Sequence, residues 1–168
     1  MKRIFVLTLA LAVCAAAAFA QGHDTGAITS PAEMKYGPLP GLPPCAQGAV
    51  LHGDPGKGGA TLSAKATAGC KIPWHWHTAT EQLGIVSGSA KLEIKDGPSK
   101  AIGAGAYAYL PAKHTHQFTC TAACTFFIGT DGAFDIHYVD ASGKEISLDE
   151  ALKSKTAAKG AAKAPAKK

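Results

Sequence analysis

Between residues 60 and 140 the chain alternates apolar and polar positions in short runs, with no sustained three-or-four-residue recurrence. From Thr61 to Thr67, Leu62, Ala64 and Ala66 interleave with Thr61, Ser63, Lys65 and Thr67; from Ala90 to Lys95, Ala90, Leu92 and Ile94 interleave with Lys91, Glu93 and Lys95. A period of two puts the apolar members on one side of an extended chain, so each run predicts a strand with one dry face. Ala106 to Leu110, Thr125 to Ile128 and Phe134 to Val139 predict further strands. Asp96-Gly97-Pro98 and Thr130-Asp131-Gly132 predict turns, and Ser87-Gly88-Ser89 predicts a turn that sends the chain back antiparallel. Short strands at regular spacing, with no internal repeat, predict an all-β fold closed into a single barrel, where closure removes exposed edges.

The flanks read differently. Pro31, Pro38, Pro40, Pro43 and Pro44 with several glycines make residues 21–48 an extended arm leading into a barrel over 49–146. The one persuasive helix signal is Ser147-Leu148-Asp149-Glu150, a capping box in which the serine hydroxyl and glutamate carboxylate satisfy the first free amides of a short C-terminal helix over 147–155. Residues 156–168 are an Ala/Lys-rich tail with too few large apolar side chains to bury, expected to be disordered.

The chain of 168 residues suits one domain, and its net charge of +5 invites a nucleic-acid reading. The distribution of that charge removes the invitation. Lys2 and Arg3, the apolar stretch Ile4 to Phe19 and the small-x-small site Ala18-Phe19-Ala20 form an export signal cut after Ala20. The apolar stretch is short, Ala-rich and followed at once by Gln21-Gly22-His23-Asp24, so no membrane span is expected after cleavage. Leu11-Ala12-Val13-Cys14 offers an alternative, a lipoprotein anchored through Cys14, although Val13 is large for that site. Without residues 1–20 the chain has no arginine, the side chain that makes bidentate contacts to phosphate and guanine, which argues against nucleic-acid binding. Six of the remaining lysines lie in the tail region, and residues 21–152 carry 9 lysines against 12 acids. A periplasmic or secreted location follows.

Export leaves Cys45, Cys70, Cys120 and Cys124. An even number in an oxidising compartment favours two disulfides, with three pairings open. Cys120 and Cys124 are close enough to staple a tight connection, which leaves Cys45 with Cys70.

The chemistry concentrates in two segments. In Gly69-Cys-Lys-Ile-Pro-Trp-His75-Trp-His77-Thr-Ala-Thr-Glu81 the two histidines are two apart, so a strand presents both imidazoles on one face and turns Trp74 and Trp76 to the other. Those tryptophans are expected to pack beneath the proline-rich arm or against a second subunit. Glu81 opens the next apolar run, where its carboxylate can complete a site. The second segment runs from Gly105 through Tyr107, Tyr109, Pro111, Lys113 and His114 to His116.

Together the two segments resemble the paired signature motifs of the cupin superfamily. Gly69, His75, His77, Glu81 and Gly88 fit the first pattern, Gly-x5-His-x-His-x3–4-Glu-x6-Gly, without adjustment. Gly105, Pro111 and His116 fit the second, Gly-x5-Pro-x-Gly-x-x-His-x3-Asn, while Lys113 stands in place of the glycine and Cys120 in place of the asparagine. The resemblance implies a double-stranded β-helix, or jelly-roll-like barrel, with His75, His77, Glu81 and His116 as ligands of one divalent transition-metal ion in its mouth. Manganese or iron suits these donors best, leaving two of six positions open, and zinc, nickel, cobalt or copper is acceptable. It also implies a small-molecule ligand or substrate and a homodimer. By analogy with oxalate oxidases and quercetin dioxygenases the leading expectation is a metal-dependent enzyme of dioxygenase or oxidase type acting on a small oxygenated molecule, with His114, Tyr107 or Tyr109 shuttling a proton. The alternative is a non-catalytic, metal-dependent binding or sensing module, favoured by the minimal size and by the lack of an arginine to clamp a carboxylate. Lys71 and Lys113 flank the motifs as substitute point charges. His23, His52 and His137 have no motif support.

Overall fold

The computed structural model describes residues 26–154. The expected export signal, Cys14, His23 and the lysine-rich tail lie outside the described residues. Within them, alternation produces strands β1 (Ala46–Gly53), β2 (Ala60–Ala66), β3 (Lys71–Trp76), β4 (Glu81–Ser87) and β5 (Ser89–Ile94). These are followed by β6 (Ser99–Gly103), β7 (Tyr107–Leu110), β8 (His116–Cys120), β9 (Cys124–Thr130), β10 (His137–Tyr138) and the helix α1 (Leu148–Lys153). The strands form two antiparallel five-stranded sheets, β1-β2-β9-β4-β7 and β10-β3-β8-β5-β6, packed face to face as the barrel the alternation predicts. Leu62, Leu83, Leu110, Phe118, Phe126 and Ile128 fill the space between them, and the Phe118 and Phe126 rings meet across the sheets with centroids 4.8 Å apart. No helix among the described residues is long and apolar enough to cross a membrane.

Two expectations need correction. Ser87-Gly88-Ser89 does not fold the chain back into a hairpin: β4 pairs with β7 and β9, β5 with β6 and β8, so Gly88 is the corner where the chain passes from one sheet to the other. One residue is too short for a hairpin loop, and Gly88 sits at φ +78° with an added Cβ 2.0 Å from the Ala123 carbonyl oxygen, a position open only to glycine. Phe134 to Val139 is strand only at His137–Tyr138. The preceding residues are irregular because Asp135 spends its carbonyl and carboxylate on the segment after β3 instead of on a ladder. Trp74 and Trp76 turn away from the buried histidines of the first motif, as the alternation predicts. The Trp76 ring stacks on His137 at 4.0 Å, and the Trp74 carbonyl accepts the Val139 N–H.

The prolines keep the arm free of helix, and β1 begins at Ala46, two residues after the last of them. Tyr36 hydrogen-bonds Ser63 at 2.7 Å, Gly37 bridges Gly48 of β1, and the Gly41 carbonyl accepts the Tyr138 hydroxyl of β10, so the arm ties together the two sheet edges at that side. The disulfides Cys45–Cys70 and Cys120–Cys124 secure the ends of the arm, β3, β8 and β9. At α1 the capping box forms, with Ser147 accepting from the Glu150 amide and Glu150 accepting from Ser147, and Ala151 buried against the core.

Candidate metal centre

Three strand ends place the motif side chains at one mouth of the barrel. His75 and His77 come from the end of β3 and the residue after it, His116 from the start of β8, and Glu81 from the start of β4 in the opposite sheet. His75 and His116 are direct partners in the β3–β8 register, which sets their rings 4.2 Å apart; a bulge at Pro73 keeps His75 aimed inward. The chain between His77 and Glu81 crosses from one sheet to the other, so the first motif spans the mouth.

Each imidazole is oriented through Nδ1. His75 Nδ1–H donates to the Pro73 carbonyl at 2.6 Å, His116 Nδ1–H to the His114 carbonyl at 2.9 Å, and His77 Nδ1–H to the Asp135 carbonyl. With the proton fixed on Nδ1, the neutral ring offers its Nε2 lone pair, the arrangement that metal-binding histidines adopt. His75, His77 and His116 are all buried, and one ligand atom from each falls within 4.8 Å of the others, a spacing able to hold a metal ion.

Glu81 lies beside the group, its Oε2 3.2 Å from His116 Nε2 and 3.5 Å from His77 Nε2. At these distances charges attract, yet His77 Nε2 and Glu81 Oε2 are fully buried and neither makes a hydrogen bond of acceptable direction. Burial without partners is costly for both atoms, and a shared cation is what would satisfy lone pairs facing one another. The donor set fits a first-row divalent ion.

Electrostatics agree with that reading. Burial pushes the His75 imidazole well below its ordinary pKa, reinforced by the neighbouring His116 and His77, so it is neutral and available as a donor. Burial would lower His77 as well, but the close Glu81 carboxylate, with help from Asp135, raises it. Burial would raise Glu81, but His116 and His77 outweigh it and hold the carboxyl far below the usual range.

The remaining expected site residues lie elsewhere. His114 is exposed in the turn before β8, contributing its carbonyl to His116 while its ring stays outside the cluster. Tyr107 and Tyr109 are 64% and 58% exposed on the outer face of β7, where the Tyr107 hydroxyl donates to Gln82. Lys71 and Lys113 do not line the cavity, and His52 is exposed on β1. Lys113 adopts φ +63°, the left-handed conformation that the motif's glycine normally supplies, and its N–H donates to the His77 carbonyl. Cys120, in place of the asparagine, is buried in its disulfide.

The cavity beside the imidazoles is almost filled: about 10 Å³, roughly what one water needs. Its walls include Leu42 from the arm and Phe134 and Ile136 from the segment after β9, none of them singled out by sequence. Phe134 lies 5.3 Å from the His77 ring. Only the turn residues near Asp131 signalled that this segment departs from a regular strand.

A jelly-roll barrel with three inward histidines and a glutamate at its mouth defines a cupin. The chain belongs to the family of ChrR cupin-like domains, whose model matches residues 24–133. Among solved structures the fold is similar to the polyketide cyclase RemF from Streptomyces resistomycificus, at 14% identity and TM-score 0.59 over 69% of this chain and 87% of that one. It is also similar to an RmlC-like cupin protein from Ralstonia eutropha JMP134, at 21% identity and TM-score 0.57 over 76% and 85%. A putative acetylacetone dioxygenase from Methylibium petroleiphilum PM1 matches at 17% identity and TM-score 0.55 over 73% and 87%. No curated protein sequence matches the chain.

Proposed function

We propose that this chain is an exported metal-binding cupin whose His75, His77 and His116, with Glu81 as fourth ligand, hold a divalent transition ion, manganese or iron by preference, and that it acts on a small oxygenated molecule. The observation that carries the metal reading is the convergence of three buried imidazoles, each fixed through Nδ1 to a backbone carbonyl, around a Glu81 oxygen with no hydrogen-bond partner. A bound ion of this type would supply Lewis acidity and open coordination positions. The protein's own part is to orient the Nε2 donors, to keep Glu81 ionised, and to exclude water with Leu42, Phe134 and Ile136. The dioxygenase-like assignment rests on analogy of ligand set and fold.

The filled cavity favours a second reading, a non-catalytic binding or sensing module. A space near 10 Å³ admits a water-sized ligand, and none of His114, Tyr107 or Tyr109 lines it. Elemental analysis of the protein as isolated from its own compartment, then oxygen uptake with small acids and phenols under each candidate metal, separates the readings. Turnover lost in His77→Ala supports an enzyme; stoichiometric metal with ligand binding and no turnover supports the module. Absence of metal both as isolated and after reconstitution overturns both.

A further inference from the structure

The loop that carries two of the four motif residues is held from outside by a pair of aspartates. His77-Thr78-Ala79-Thr80-Glu81 links β3 to β4, and the strap after β9 lies alongside it. The Thr78 N–H donates to Asp135 Oδ1 at 2.8 Å, and the Thr78 hydroxyl donates to the other oxygen of that carboxylate. The Thr80 N–H donates to Asp131 Oδ1 at 2.8 Å. Each aspartate thus grips the residue next to a motif side chain, Thr78 after His77 and Thr80 before Glu81. Asp135 grips twice, because its own carbonyl also takes the His77 Nδ1–H. The strap is itself anchored: Phe134 N–H donates to the Pro55 carbonyl at 2.7 Å, and His137 Nε2 lies 3.2 Å from Asp135 Oδ2.

We infer that Asp131 and Asp135 are positioning residues that set the metal affinity and coordination geometry of the site by fixing the His77–Glu81 loop. The inference rests on the metal-centre reading above. Neither carboxylate enters the cavity, so both act through the loop. A peptide free to rotate at Thr78 would let His77 swing off its Nε2 direction, and partners of this kind typically change metal affinity about 10- to 100-fold when removed.

The test uses the mature protein and cobalt(II), whose visible spectrum reports coordination number and geometry. Wild type, Asp131→Ala, Asp135→Ala and Asp135→Asn are titrated with cobalt, and the melting of each metal-free form is recorded. We expect Asp135→Ala to weaken binding at least about tenfold with an altered cobalt spectrum, and Asp135→Asn, which keeps an acceptor for Thr78, to recover part of both. Asp131 is exposed, so Asp131→Ala leaves no cavity and provides the arm of the test that folds if Asp135→Ala does not; it too is expected to weaken binding and shift the spectrum. Wild-type affinity and spectrum in the variants, with wild type itself binding cobalt, overturn the positioning role and leave the metal centre standing. Equal losses of metal-free stability and affinity with an unchanged spectrum also overturn it, since they mark a merely structural contact. Failure of wild type to bind any cobalt removes the metal centre, and the inference with it.

Discussion

His77 is where protons and a metal ion compete for one atom. In the metal-free protein Glu81 and Asp135 raise its pKa against the effect of burial, so its proton stabilises the fold fully below the ordinary histidine value. That contribution is lost as pH rises through the raised folded value. Ligation needs the neutral ring, and His75, held well below its ordinary value, is already neutral there. Raising pH therefore removes the His77 proton that both stabilises the metal-free form and opposes binding. Thermal melts with excess metal and with chelator should show a gap that widens from about pH 6 to about pH 8. A gap that narrows over that range would contradict the assignment of His77 as a ligand. Lys113 gives a second test at this scale. Its left-handed φ of +63° costs a non-glycine residue about 1–2 kcal/mol, part of which glycine returns as chain entropy. Lys113→Gly should stabilise the protein by about 1 kcal/mol, or about 4 °C in melting temperature, with metal affinity unchanged.

At the scale of elements, the corner at Gly88 separates what a period of two reveals from what it hides. The alternation of β2 and β5 was visible because each strand has one face toward the core. Which strands pair was not, because Ser87-Gly88-Ser89 has the composition of a turn whether the chain returns in the same sheet or crosses to the other. The difference lies in the Ala123 carbonyl, distant in sequence, against which Gly88 packs. Gly88→Ala should destabilise by about 3 kcal/mol in chemical denaturation, combining positive-φ strain with the backbone clash. The candidate site divides the same way. Strand geometry made the His75–His77 pair legible, and the resemblance to the two cupin motifs brought in Glu81 and His116. Asp131, Asp135, Phe134 and Leu42 were not legible, because each takes its role from a contact distant in sequence. Tyr107 and Tyr109 show the opposite failure: period two put them together on one face of β7, and only sheet order made that face the outer one. The Cys45–Cys70 bond, closing 25 residues between the arm and β3, is worth about 3.5 kcal/mol in chain entropy, so the double serine variant should lose about 2–4 kcal/mol by urea denaturation.

For the whole molecule, stability and location are linked through those cysteines. Four cysteines joined as two disulfides suit an oxidising compartment, and a domain of this size that lost both in the cytoplasm would give up a large share of a typical 5–15 kcal/mol. On the export proposed above, the basic start of the chain and its apolar stretch would be removed, leaving a slightly acidic, arginine-free region between 21 and 152. Export with cleavage after Ala20 makes a definite prediction for intact mass. The protein recovered from the periplasm or medium should begin at Gln21, weigh four hydrogens less than its reduced sequence, and show no free thiol when denatured without reductant. The alternative, processing before Cys14, would retain a fifth cysteine carrying a lipid, add the mass of the acyl chains, and place the protein in the membrane fraction. A chain beginning at Met1 with four reactive thiols between Cys45 and Cys124 would contradict both routes, and would leave the barrel without its two staples in the compartment where it works.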